Sequence, residues 1–182
     1  MKAAFFSLFA FAASALASPI IAQRQVTVQV DTLDNLIQLV KGHTANINKT
    51  ISAVQENPTV EEQTSTAAAL LPELQAITEA VQSVTGGLVQ RQVAVSVDAP
   101  EVVDGVQEKV QELTLEIAST LNAVIAKVGL SSVIAGVTPL LSALLGLAGS
   151  IEKVVGGVLA VVKGLLATVL GGVAGPLLGL LF

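Results

Sequence analysis

His43 is the only imidazole in the chain, and there is no cysteine. A Ser-His-Asp set needs that imidazole beside a nucleophile and an orienting acid, and a zinc site needs more His or Cys ligands than one. Instead, His43 and Thr44 interrupt an aliphatic stripe where one more apolar residue is due. That placement predicts a structural histidine on, or partly beneath, a helix surface. Paired carboxylates can do general acid–base work, but Glu61-Glu62 and the pair Glu108 and Glu112 fall on polar helix faces and read as solvated charge. The glycine pairs Gly86-Gly87 and Gly171-Gly172 lack the strand, the GxGxxG spacing and the lysine of a phosphate cradle, and read as helix stops.

The charge balance removes another class. Fourteen Asp and Glu against nine Lys and Arg give a net charge of -5 and a pI near 4.8, whereas nucleic-acid binding needs clustered cations to neutralise phosphates. The expectation is a protein without catalytic residues, cofactor, metal or nucleic-acid partner. Two kinds of modification site remain. Asn48-Lys49-Thr50 is an N-glycosylation sequon, and single arginines precede glutamine at Arg24 and Arg91, where processing could cut.

The first residues read as an export signal. Lys2 precedes an apolar run from Ala3 to Ala13, and Ala15-Leu16-Ala17 offers the small-x-small pattern cleaved by signal peptidase, here between Ala17 and Ser18. That run is too short for a stable span. Its removal leaves 165 residues whose only aromatic is Phe182. Small extracellular domains usually rely on disulfides; this chain must hold together by aliphatic burial, by self-association, or on meeting an apolar surface.

The elements that would position these residues follow from two regularities. Thirteen of the fourteen acids lie before Ile117, while residues 118–182 hold eleven of the fifteen glycines and one acid, Glu152. The front is acidic and amphipathic; the back is apolar and nearly uncharged. Across this division, Gln23 to Asp31 recurs as Gln90 to Asp98 with seven of nine residues identical at an offset of 67, an offset Pro72 and Pro139 share. Gly86-Gly87 recurs as Gly156-Gly157 at an offset of 70. We read an internal duplication of a unit of about 70 residues.

Each copy opens on a Val-rich lead of strand period and then turns helical. After Asp31, a candidate N-cap, the apolar positions Leu33, Leu36, Ile37, Val40, Ile47, Ile51 and Val54 mark one helical face. Asn57-Pro58 should cap the next helix. Its face runs Leu70, Leu74, Ile77, Val81 and Val84, with a kink or late start at Pro72 and a stop at Gly86. Asp98 and Pro100 should open a third helix with Val103, Val106, Val110, Leu113, Ile117, Leu121 and Val124 on one side, ending at Gly129. Two further helices are expected at about 130–148 and 151–170, then an apolar Gly-rich tail.

The predicted fold class is all-α: a bundle of four to five helices, pseudo-twofold from the duplication. Its parts would be a signal peptide at 1–17, an acidic helical repeat at 18–89, a second helical repeat at 90–159 and the tail at 160–182.

This layout resembles the cysteine-free fungal secreted proteins of hyphal surfaces, which pair a polar N-terminal half with a hydrophobic C-terminal half. More loosely, the stripe from Leu33 to Val54 after Val26 to Asp31 is similar to the fungal hydrophobic surface-binding proteins and cell-wall mannoproteins. The first resemblance implies hyphal attachment and aerial growth. The second implies an all-helical secreted domain that adsorbs to apolar surfaces. No catalytic residue carries over from either.

The expectation is therefore a secreted, non-enzymatic amphiphile of the cell surface or wall, adsorbing to hydrophobic interfaces and self-associating as a homo-oligomer. Its interfacial candidates are Leu140, Leu141, Leu144, Leu145, Val158, Leu165, Leu166, Leu177 and Leu178. The alternatives are a membrane protein with C-terminal apolar spans and a soluble lipid carrier. Val128 to Ile151 is uncharged over 24 residues, long enough to span, though Pro139 interrupts it. A C-terminal lipid-anchor signal would need a polar spacer that the tail lacks.

Overall fold

A computed structural model of the protein describes residues 30–91, 100–153 and 155–170. These residues form five α-helices, and none is in a strand: α1 (30–52), α2 (Val60–Arg91), α3 (Pro100–Val128), α4 (Leu130–Glu152) and α5 (Val158–Leu170). The fold is an all-α bundle. Both Val-rich leads fall outside the described residues except at their edges, where Val30, Asp31, Gln90 and Arg91 are helical.

In α1, the side chains of Leu33, Leu36, Ile37, Val40, Thr44, Ile47 and Ile51 are buried, a three-and-four spacing that keeps one face on the core. Thr44, only 1% exposed, occupies the place where the stripe expected an aliphatic. Asp31 lies within the helix, not ahead of it as a cap. The last turn tightens, with Ala53 N–H donating to the Thr50 carbonyl and Val54 N–H to that of Ile51.

The α2 cap differs from the one expected at Asn57-Pro58. Thr59 and Glu62 form a capping box: Glu62 N–H donates to Thr59 Oγ1 at 3.2 Å, and Thr59 N–H to Glu62 Oε2 at 2.8 Å. Nor does Pro72 start or end the helix. Pro72 and Ala68, whose carbonyl loses its i+4 donor there, both face solvent, so water can satisfy what proline leaves open. Pro139 and Ala135 repeat this arrangement in α4. Gly86-Gly87 also fails to stop α2, which runs on to Arg91. Each glycine costs ~1 kcal/mol against alanine, but Leu88 beyond them is buried and anchors the extra turn.

Gly129 ends α3 as expected. It alone separates α3 from α4, at φ +82°, a conformation that strains any side chain with a Cβ. α4 reaches four residues past its expected end, and α5 begins at Val158, after a corner that includes Gly157 at φ +89°. The expected boundary between the second repeat and the tail, at 159/160, thus falls inside α5.

α2 packs mainly against α4, and α3 against α5; α4 also lies on α5 and α3. The α2–α4 seam is close: a Cβ on Gly136 would stand 2.9 Å from Leu74 Cδ1 and 3.1 Å from Leu71 Cδ2. Burial repeats at an offset of 70. Leu36, Val40, Thr44, Ile47 and Ile51 of α1 match Val106, Val110, Thr114, Ile117 and Leu121 of α3, all buried. Leu70, Leu74, Ile77 and Val81 of α2 match Leu140, Leu144, Leu147 and Ile151 of α4, and Leu88 matches Val158. One aliphatic cluster runs through all five helices.

Candidate functional site

Two features stand out against this core: the apolar back, and a ladder of polar links along α1. Of the interfacial candidates, Leu140, Leu141, Leu144, Val158 and Leu166 are buried in the shared core. Leu145 and Leu165 are half-buried, while Leu177 and Leu178 lie outside the described residues. In the closed bundle, five of the nine therefore face other helices and not a surface. The reason is amphipathic phase: a helix apolar all round gives no polar side from which to tell inside from outside.

The outer face of α4 is unusual in its own right. Its exposed residues are Ser131, Ile134, Ala135, Pro139, Ser142 and Gly146, so neither face carries a charge from Leu130 to Ile151. By length and composition α4 could cross a bilayer, a test that buried core helices also pass. The exposed large hydrophobics described, Leu39, Val60, Leu115 and Ile134, fall one to each of α1 to α4.

The ladder joins α1 to α2 and α3. His43 Nδ1–H donates to Glu73 Oε2 at 2.5 Å, each side chain 29% exposed, and Asn46 Nδ2 donates to Glu73 Oε1 at 3.3 Å. Toward α3, Lys41 Nζ reaches Glu112 Oε1 at 2.7 Å, and Thr44 Oγ1 donates to Glu116 Oε1 at 2.5 Å. Lys109 of α3 reaches back to Asp34 at 2.7 Å and lies 3.8 Å from Glu112 Oε2. These pairs climb both helices in the same direction, so α1 and α3 run parallel. Hydrogen bonding from Lys41 holds Glu112 below its usual carboxylate range, and bonding to Asp34 raises Lys109.

His43 is thus partly buried, with a partner that the sequence does not reveal, since Glu73 is 30 residues away. The paired acids are not uniformly solvated charge. Glu62 caps α2 and Glu112 bridges two lysines, whereas Glu61 and Glu108 face solvent. Of these roles, only the capping box has a local signature, Thr-x-x-Glu.

Glu152, the lone acid of the back, also has a defined task. Its carboxylate oxygens accept the Gly157 N–H at 2.9 Å and the Leu159 N–H at 2.8 Å, covering open donors at the α5 N-terminus. Those bonds lower its pKa. Asn48 is exposed on α1, and its carbonyl accepts the Ser52 hydroxyl at 2.6 Å. Ala17, Ser18, Arg24 and the Gly171-Gly172 pair lie outside the described residues, and Arg91 is the last residue of α2. Among the described residues, no three His, Asp or Glu side chains gather in a way that would hold a metal ion. No family model matches the chain, and neither a curated protein nor a solved structure matches it.

Proposed function

We propose that this chain is a secreted, non-enzymatic amphiphile of the fungal cell surface that opens at a hydrophobic interface, adsorbs there and self-associates. The observation that carries this reading is α4, uncharged on both its inner and outer faces from Leu130 to Ile151. An ordinary core helix keeps a charged outer side and resists transfer as a whole; the outer side of α4 holds only neutral residues, with Ser131 and Ser142 its exposed hydroxyls. The core around it is Val, Leu, Ile and Ala with no aromatic ring, so little besides area distinguishes its interior from an apolar phase. Burial out of water is worth ~1.5–3 kcal/mol for each large aliphatic, and a core opened onto an apolar phase keeps most of that there, so opening at such an interface costs far less than unfolding in water. Meanwhile α1 to α3, and any glycan on exposed Asn48, keep the chain hydrated.

Because α4 and α5 pack on α2 and α3, truncation would strip the front of its partners and create stickiness of its own. The test therefore uses the full secreted chain. It should lower the surface tension of water and leave a coat on a hydrophobic solid that survives a buffer wash. A monodisperse monomer no more surface-active than an ordinary globular control would overturn the proposal. The second reading, a membrane protein, draws on the length of α4 alone. Under that reading the chain would stay in the pellet after alkaline carbonate, where an adsorbed protein is released.

A further inference from the structure

Every rung of the α1 ladder ends on a carboxylate: Asp34 on α1 itself, Glu73 on α2, and Glu112 and Glu116 on α3. Their partners are cations or neutral donors: Lys41, His43, Thr44 and Asn46 on α1, and Lys109 on α3. One titration, that of carboxylates, therefore acts on all five links together. We propose that α1 is an acid-released strap: neutralising these four carboxylates frees it from α2 and α3 and turns its buried face, Leu33, Leu36, Ile37, Val40, Ile47 and Ile51, toward an interface.

The geometry makes release more than a loss of attraction. Glu112 sits between two ammonium groups, with Lys41 on one oxygen and Lys109 on the other. Once its charge is gone, the two cations confront each other across α1 and α3, unshielded. The other charged groups on these helices are Asp31 and Lys49 on α1, Glu61, Glu62, Glu79 and Arg91 on α2, and Glu101, Asp104, Glu108 and Lys127 on α3, of which Glu108 acts on Lys109. Because Lys41 holds Glu112 below the usual carboxylate range, this rung lets go last. The aliphatic α2–α4 seam around Gly136 has no such dependence.

The role of the strap in adsorption rests on the surface reading above; its release does not. Hydrogen exchange of the full chain should be followed at about pH 7 and about pH 2, well below the ordinary carboxylate range and low enough to reach the depressed Glu112 as well. After correction for intrinsic rates, α1 amides should lose protection about tenfold or more relative to those of α4. The triple variant Glu73→Gln, Glu112→Gln, Glu116→Gln should show the loosened α1 already at neutral pH, and adsorb to a hydrophobic solid faster than the parent. Joining Lys41 to Glu112 with a zero-length carbodiimide cross-link should keep α1 protected in acid and slow adsorption. If α1 and α4 lose protection together, or α1 keeps its protection in acid, the strap is overturned while the surface reading stands. If α1 is released on schedule yet the protein lowers surface tension at no pH, the surface reading fails and the strap remains.

Discussion

Seventy residues apart, the chain meets the same packing problem twice and secures the two results differently. In the first copy, Thr44 points across to Glu116 and α1 is laced to its neighbours by ions. In the second, the equivalent Thr114 turns back to the Val110 carbonyl of its own helix at 2.7 Å. The glycine pairs diverge as well. Gly86-Gly87 is ordinary helix within α2, whereas Gly156-Gly157 is a corner that sets α5 off from α4. Glycine permits either outcome; what surrounds it decides. Leu88 is pulled into the core along a continuing helix, while the Glu152 carboxylate reaches forward to cap a new one. Aliphatic burial sets the common frame, and polar groups at its edge decide where helices run on, turn or can be released.

If the two copies share that frame, equivalent core truncations should hurt alike. Leu74→Ala in α2 and Leu144→Ala in α4 each remove a side chain with almost no exposure. Each should cost about 2–5 kcal/mol, read as a lowered urea midpoint with little change in slope. A loss confined to Leu144 would mean that α2 is not part of the same cooperative core.

Next in size is the seam between the copies. Gly136→Val would drive a branched side chain into Leu71 and Leu74, and overpacking of this kind costs about 1–3 kcal/mol. A neutral result would show that α2 and α4 are free to separate at no penalty, and would break the contrast between a rigid seam and a releasable α1.

The glycine pairs should then give opposite signs. Gly87→Ala meets no atom within 4 Å in a continuous helix and should stabilise by about 0.5–1 kcal/mol. Gly157→Ala is equally unobstructed, but its φ of +89° disfavours a Cβ, and it should destabilise by about 1–2 kcal/mol. Thermal melts of the two variants check both signs. A shared sign would mean the corner at Gly157 relaxes into helix.

These pairs also show what could be read before the fold was seen. The stripes of α1 and α3 are legible because apolar residues at three-and-four spacing face away from charged ones. Pro72 and Gly86 mislead because their local penalties, about 3 and 1 kcal/mol, are smaller than the burial of Leu70, Leu74, Ile77, Val81 and Leu88 on one helix. In α4, uniform hydrophobicity hides which side is inside, so Leu140, Leu141 and Leu144 look interfacial although they are core. The rungs at Glu73 and Glu116 have no local trace, because they depend on how separate helices are set against each other.

The smallest expected effect concerns Glu152, the single acid after Ile117. Glu152 is only partly buried, so its bonds to Gly157 and Leu159 N–H are screened by water, and their loss should be felt in the first turn of α5 rather than in global stability. Glu152→Gln keeps an acceptor but removes the negative charge that favours a helix N-terminus. Amides of the first α5 turn should exchange faster in the variant at neutral pH, while α2 is unaffected. The sign of the pH dependence follows from the lowered pKa of Glu152 in the folded chain. A depressed carboxylate contributes stability that is fully present above its unfolded value and is lost as pH falls through the folded value. Parent and variant should therefore differ at neutral pH and converge in acid, after correction for intrinsic exchange. If they already agree at neutral pH, the corner is set by Gly157 alone, and the first copy's unbroken passage through Gly86-Gly87 would need a cause other than the absence of a capping acid.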